Sequence, residues 1–100
     1  MKYRIVSLPT VQIDIREAVG YYQQFNPKLG HQFVKRIQEA YHFLELMPKG
    51  FQQKYKTVRT LLLKQFPFQL HYLIDDHNQT IIVLAVIHSY RNPKDYSSRL

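Results

Sequence analysis

66-FPFQLHYLIDDHNQTIIVLAVIHSYRNP-93 is the stretch that decides the fold. Phe68, Leu70, Tyr72 and Ile74 alternate with Gln69, His71 and Leu73, the period-two pattern of a half-buried strand. Asp75-Asp76-His77-Asn78-Gln79 then interrupts the run with side chains that bond their own backbone and favour turns. Ile81 to Ile87 is apolar at every position and rich in β-branched residues, as in a strand covered on both faces in the middle of a sheet. A turn centred between His77 and Asn78 pairs Phe68 with Ile87 and Pro67 with His88. That register gathers Phe68, Leu70, Tyr72, Ile74, Ile81, Val83, Ala85 and Ile87 on a core face. It leaves Gln69 and His71 on the other, with His88 at its margin. A slip of one residue would reverse these assignments.

Upstream, Lys2 to Leu8 reads as a short strand that Pro9 stops, with Thr10 as a helix N-cap. Val11, Ile15, Ala18, Val19 and Tyr22 form one helical stripe. Gly20 interrupts this helix and marks a close packing contact. Asn26-Pro27-Lys28-Leu29-Gly30 ends the helix, and a second runs from about His31 to Met47. Its stripe is Phe33, Ile37, Ala40, Tyr41 and Leu44, with Val34 beside it. Tyr55 to Lys64 reads as a further strand. The order is β-α-α-β-β-β in a single α+β domain spanning residues 1–100. A helical hairpin packs on one face of an antiparallel sheet.

One hundred residues are enough for one core, and 45% of them are hydrophobic, which excludes a disordered chain. There is no cysteine, so disulfides and thiol catalysis are excluded, and a reducing, cytoplasmic setting is expected. No stretch approaches the length of a membrane span. The net charge is +7. Arg16, Lys28, Lys35 and Arg36 balance Asp14, Glu17, Glu39 and Glu45 on the helices. From Leu46 to Ile74 there is no acid, only Lys49, Lys54, Lys56, Arg59 and Lys64, and the tail adds Arg91, Lys94 and Arg99. A one-sided basic surface attracts nucleic acid or an acidic protein. The histidines lack metal-ligand spacing and the serines lack an adjacent base, so neither a metal nor a cofactor is expected.

Several pieces in their order resemble the RelE/ParE family of bacterial toxins. They are Leu8-Pro9, Asp14-Ile15, Tyr21-Tyr22, Leu29-Gly30 with Phe33, and Met47-Pro48 with Gly50. Val58-Arg59, Phe66-Pro67, Tyr72, Val86-Ile87-His88 and Arg91-Asn92-Pro93 complete the set. The resemblance implies the toxin of a type II toxin-antitoxin module, of the plasmid-stabilisation kind, held in a hetero-oligomer by a cognate antitoxin. Family members either block DNA gyrase or cut messenger RNA on the ribosome without a metal. The basic positions of the ribosome-dependent cutters fall here on Thr60, Leu62 and Gln69, which carry no charge. That depletion favours the gyrase-type, non-catalytic activity, with Lys54, Lys56, Arg59, Lys64 and Arg91 binding the target. The alternative is messenger RNA cleavage through His88, Arg91 and Tyr96, and a third is a relic that binds only its antitoxin. Against these stand plainer roles. Arg59 pairs with an acid on a helix or holds the tail in place, His88 is a structural strand-end histidine, and the edge lysines prevent aggregation. The antitoxin expected is acidic, with an extended or helical segment lying over this chain.

Overall fold

The computed structural model describes residues 2–51, 53–55 and 57–90. Strand β1 (Arg4–Ser7) leads into helices α1 (Pro9–Gln23) and α2 (Pro27–Leu46), a 3-10 turn at Pro48–Gly50, and strands β2 (Gln53–Tyr55), β3 (Val58–Leu62), β4 (Phe68–Asp75) and β5 (Thr80–His88). The five strands lie in the order β1-β5-β4-β3-β2. As the apolar run 81–87 requires, β5 has a neighbour on each side: β4 antiparallel and β1 parallel. The expected all-antiparallel sheet is therefore mixed, because the helical hairpin returns the chain to the far side of β5. The single strand expected over Tyr55–Lys64 is instead β3, preceded by the short β2 that contains Tyr55.

Both helix starts differ from the sequence expectation. Pro9 opens α1 rather than only ending β1, since its missing N–H is no loss at a first helical position. Leu8 caps the helix, and Thr10 lies inside it with a buried hydroxyl. Helix α2 begins at Pro27, four residues before the expected His31, because Asn26 accepts from Lys28 N–H at 2.9 Å. Gly20 faces open space rather than a neighbour; the close approach is at Gly30, where a Cβ would meet Gln23 Cγ at 2.6 Å. Gly20→Ala should therefore stabilise the protein by roughly 1 kcal/mol, read as a higher denaturant midpoint at unchanged slope.

The helices bury Val11, Ala18, Phe33, Ile37, Ala40 and Leu44 against Leu61, Leu70, Tyr72, Ile81, Val83 and Val86. Phe33 is fully buried, and its ring meets Tyr22, Phe66 and Phe68 at 5.1–6.0 Å between centroids. Tyr72 donates to the carbonyl of Pro48 at 2.5 Å, which ties β4 to the turn after α2. Burial pushes its hydroxyl from the ordinary 10.0 up to about 12, against the opposing charge of Arg59. The protein keeps this proton after the unfolded chain loses it. Stability from this group is therefore whole below pH 10 and declines as pH rises to about 12. Tyr72→Phe should flatten that part of an alkaline unfolding profile.

The β4–β5 register is right near the turn and wrong beyond it. Tyr72↔Val83, Leu73↔Ile82, Ile74↔Ile81 and Asp75↔Thr80 match the sum expected for a turn between His77 and Asn78. The turn is held by Asn78 N–H and Nδ2 donating to the Asp75 carboxylate. A bulge then follows: His71 pairs with Ala85, Gln69 with Ile87 and Phe68 with His88, leaving Leu84 as the extra residue. Val86 rather than Ala85 thus faces the helices, and Ala85 and Ile87 form a separate buried cluster. His88 moves from the margin of the open face to a place across from Phe68.

Candidate functional site

Asp14 governs where this bulged end of β5 lies. It occupies the apolar stripe of α1, three residues after Val11 and four before Ala18, and is 7% exposed. Its Oδ2 accepts the backbone N–H of Val86 at 3.0 Å. A carboxylate from the helix thus satisfies a buried donor of β5 just past the bulge, which anchors the strand end that carries His88.

His88 is exposed. Its ring lies 5.4 Å from those of Phe68 and Tyr90, and its Nδ1 accepts from Tyr90 N–H at 3.2 Å. The proton of the neutral imidazole is therefore on Nε2. Beside it, α1 and β5 enclose a cleft of about 180 Å³ that includes Asp14, Glu17, Tyr21 and Phe68. Its charged members, the histidine aside, are acids. Glu17 and Tyr21 were missed as neighbours of His88, since only packing of α1 on β5 brings them there.

The face of β3–β5 away from the helices displays Thr60 across from His71 and Leu62 across from Gln69. Leu62 is 62% exposed, and His71 is buried. No described lysine or arginine lies on this part of the sheet. Arg59 pairs with Tyr72, which places it on the helix side, and its Nη1 donates to the carbonyl of Phe51 at 2.6 Å. It braces the segment after the 3-10 turn, rather than the helix acid or the tail that the plainer reading expected.

Lys64 is exposed at the mouth of a second cleft, of about 210 Å³, between α2 and β3. Phe43, Phe51 and Leu62 line it, and Arg36 at its rim is occupied by Glu39 at 3.0 Å. Lys64 lines the cleft under α2 and His88 the cleft under α1, so the structure places these two in different clefts and directs Arg59 elsewhere. Lys56, Arg91 and Tyr96 lie outside the described residues, as does the side chain of Lys54, whose backbone belongs to β2. Among the described residues no group of three His, Cys, Asp or Glu could hold a metal ion, and no helix is long and apolar enough to cross a membrane.

The family model "ParE toxin of type II toxin-antitoxin system, parDE" matches residues 5–93. Comparison with curated proteins returns no match. Among solved structures, the chain is similar to one from the chromosomal ParDE system of P. aeruginosa, with 19% identity and a TM-score of 0.75. That alignment covers 87% of this chain and 96% of the other. It is also similar to a chain of the toxin-antitoxin complex RelBE2 from Mycobacterium tuberculosis, with 17% identity and a TM-score of 0.60, covering 88% and 99%. A mutant of the E. coli toxin RelE in the free state aligns with 11% identity and a TM-score of 0.69, covering 100% and 99%.

Proposed function

The chain belongs to the ParE toxin family of type II toxin-antitoxin systems, and we propose that it arrests growth by binding and blocking a target such as DNA gyrase. A cognate acidic antitoxin holds it silent until then. The observation that carries this reading is the charge around the candidate site. Cleaving RNA requires positive charge or hydrogen-bond donors set against the scissile phosphate. The cleft beside His88 instead contains Asp14 and Glu17, and the sheet face displays Thr60, Leu62 and Gln69. A phosphodiester in that cleft would meet carboxylates. Binding a protein target needs only the exposed, partly apolar surface around Leu62, Phe43 and Lys64, which the structure supplies.

One observation favours the second reading, metal-independent messenger RNA cleavage on the ribosome. With Nδ1 engaged by Tyr90, the Nε2–H of His88 is available to protonate a leaving oxygen. Arg91 and Tyr96 would then supply the phosphate contact and the base stack.

The test is inducible expression in bacteria, following growth, plasmid supercoiling and one reporter message together. Arrest with altered supercoiling and intact message is the expected result. Arrest with message cut on the ribosome, abolished in His88→Ala, would replace this reading by the nuclease. No arrest would leave a chain that binds only its antitoxin.

A further inference from the structure

The cleft between α1 and β5 reverses the sign of the molecule's charge. The chain carries +7, yet the charged side chains of this cleft, His88 aside, are Asp14 and Glu17. Asp14 already holds the Val86 N–H. Glu17, three residues on along α1, is exposed, and its carboxylate is paired with no cation among the described residues. Ile13 and Tyr21, its neighbours one turn away on the helix, bring no charge to it. Ala18, Tyr21, Phe68 and the His88 ring continue the wall. The cleft, of about 180 Å³, is thus an apolar and aromatic slot with a carboxylate at its rim.

The chain leaves β5 beside this slot. Ser89 N–H donates to Pro67 O at 2.8 Å, and Tyr90 N–H turns back to His88 Nδ1 at 3.2 Å. The Tyr90 ring lies 5.4 Å from that of His88, which is part of the slot's wall. The sequence that follows, 91-RNPKDYSSRL-100, carries three cations and one acidic side chain. Arg91 comes first, one Cα step of about 3.8 Å beyond Tyr90. An arginine suits the slot in shape as well as in charge. Its guanidinium offers a planar fork of donors to a carboxylate and a flat face to an aromatic ring.

We propose that Arg91 seats in the α1–β5 cleft, with its guanidinium on the Glu17 carboxylate and against the Tyr21 ring, and so latches the start of the basic tail to α1. Glu17 is then a positioning residue for the tail. Seated there, Arg91 is withheld from a target or a phosphate. The latch does not depend on which target the toxin has. Proximity selects this occupant. The cost of closing a loop rises with its length, which favours Arg91 over Lys94 and Arg99. An arginine of another molecule lacks the effective concentration that the tether gives, on the order of millimolar. A second copy of the chain would also have to bring +7 against +7.

The experiment is NMR on the isotope-labelled full chain. Arg91 side-chain protons should show contacts to the Tyr21 ring. The Arg91 Nε–H should exchange with water at least about fivefold slower than that of Arg99, as for an exposed ion pair reinforced by a ring face. Glu17→Gln, a change at an exposed position, should abolish both signs. Glu39→Gln, which frees only Arg36, should change neither. Protection of Arg91 that survives Glu17→Gln overturns Glu17 as its partner. Contacts to Tyr21 from Lys94 or Arg99 in place of Arg91 overturn the assignment to the first tail residue. Contacts that appear only as protein concentration is raised give the slot to a second copy. An Arg91 that exchanges as fast as Arg99 overturns the latch and leaves the toxin-antitoxin reading untouched.

Discussion

Phe33→Ala is expected to destabilise the protein by about 3–5 kcal/mol, a large part of the roughly 5–15 kcal/mol that domains typically have. Phe33 has no exposed surface and joins the hairpin to the sheet through Tyr22, Phe66 and Phe68. Truncation would lose the transfer free energy of a ring and leave a cavity. The walls of that cavity come from α1, the β3–β4 connection and β4, so it cannot close without moving several elements. Chemical denaturation checks this: the midpoint should fall sharply with little change of slope. Phe33→Leu keeps most of the volume and should cost less than about 1.5 kcal/mol. Equal losses for the two variants would mean that the ring contacts, rather than the filled space, hold this core.

Asp14→Ala should cost about 1.5–3 kcal/mol, the range for a buried hydrogen bond to a charged acceptor. Removing the carboxylate leaves the Val86 N–H buried without its acceptor. Asp14→Asn retains an oxygen acceptor and should recover about half of the loss. The consequence reaches beyond stability, because this bond secures β5 after the bulge. Hydrogen exchange should rise at Val86 and toward His88 in Asp14→Ala, while Ile81 and Val83, on the turn side of the bulge, stay protected. Uniform acceleration along β5 would show that Asp14 supports the whole strand rather than its distal end.

How much was legible depended on the range of the interaction. The apolar stripes at Val11–Tyr22 and Phe33–Leu44 dictate two helices, because burying one helical face requires the 3.6 period. The alternation Phe68–Ile74, the polar turn and the apolar run 81–87 likewise dictate a hairpin with β5 inside the sheet. Two signals were present and misread. Asn26-Pro27 is a cap followed by a first-turn proline, and Asp14 is a carboxylate placed inside an apolar stripe. The candidate site was less legible. His88 and Lys64 could be named, but the acids beside His88 and the inward turn of Arg59 could not, since Glu17 is distant in sequence from His88 and the facing of Arg59 depends on how β3 pairs with β4.

By itself, then, the sequence determined the two helices, the hairpin and its turn, the central position of β5 and the excess of positive charge. All of these follow from local periodicity and composition. Tertiary structure alone decided the parallel pairing of β1, the bulge at Leu84 and the side of the sheet on which His88 and Arg59 lie. A bulge adds one residue to one strand and reverses every facing after it. Its position here coincides with the Asp14–Val86 bond, a contact between residues far apart in the chain that no local pattern encodes.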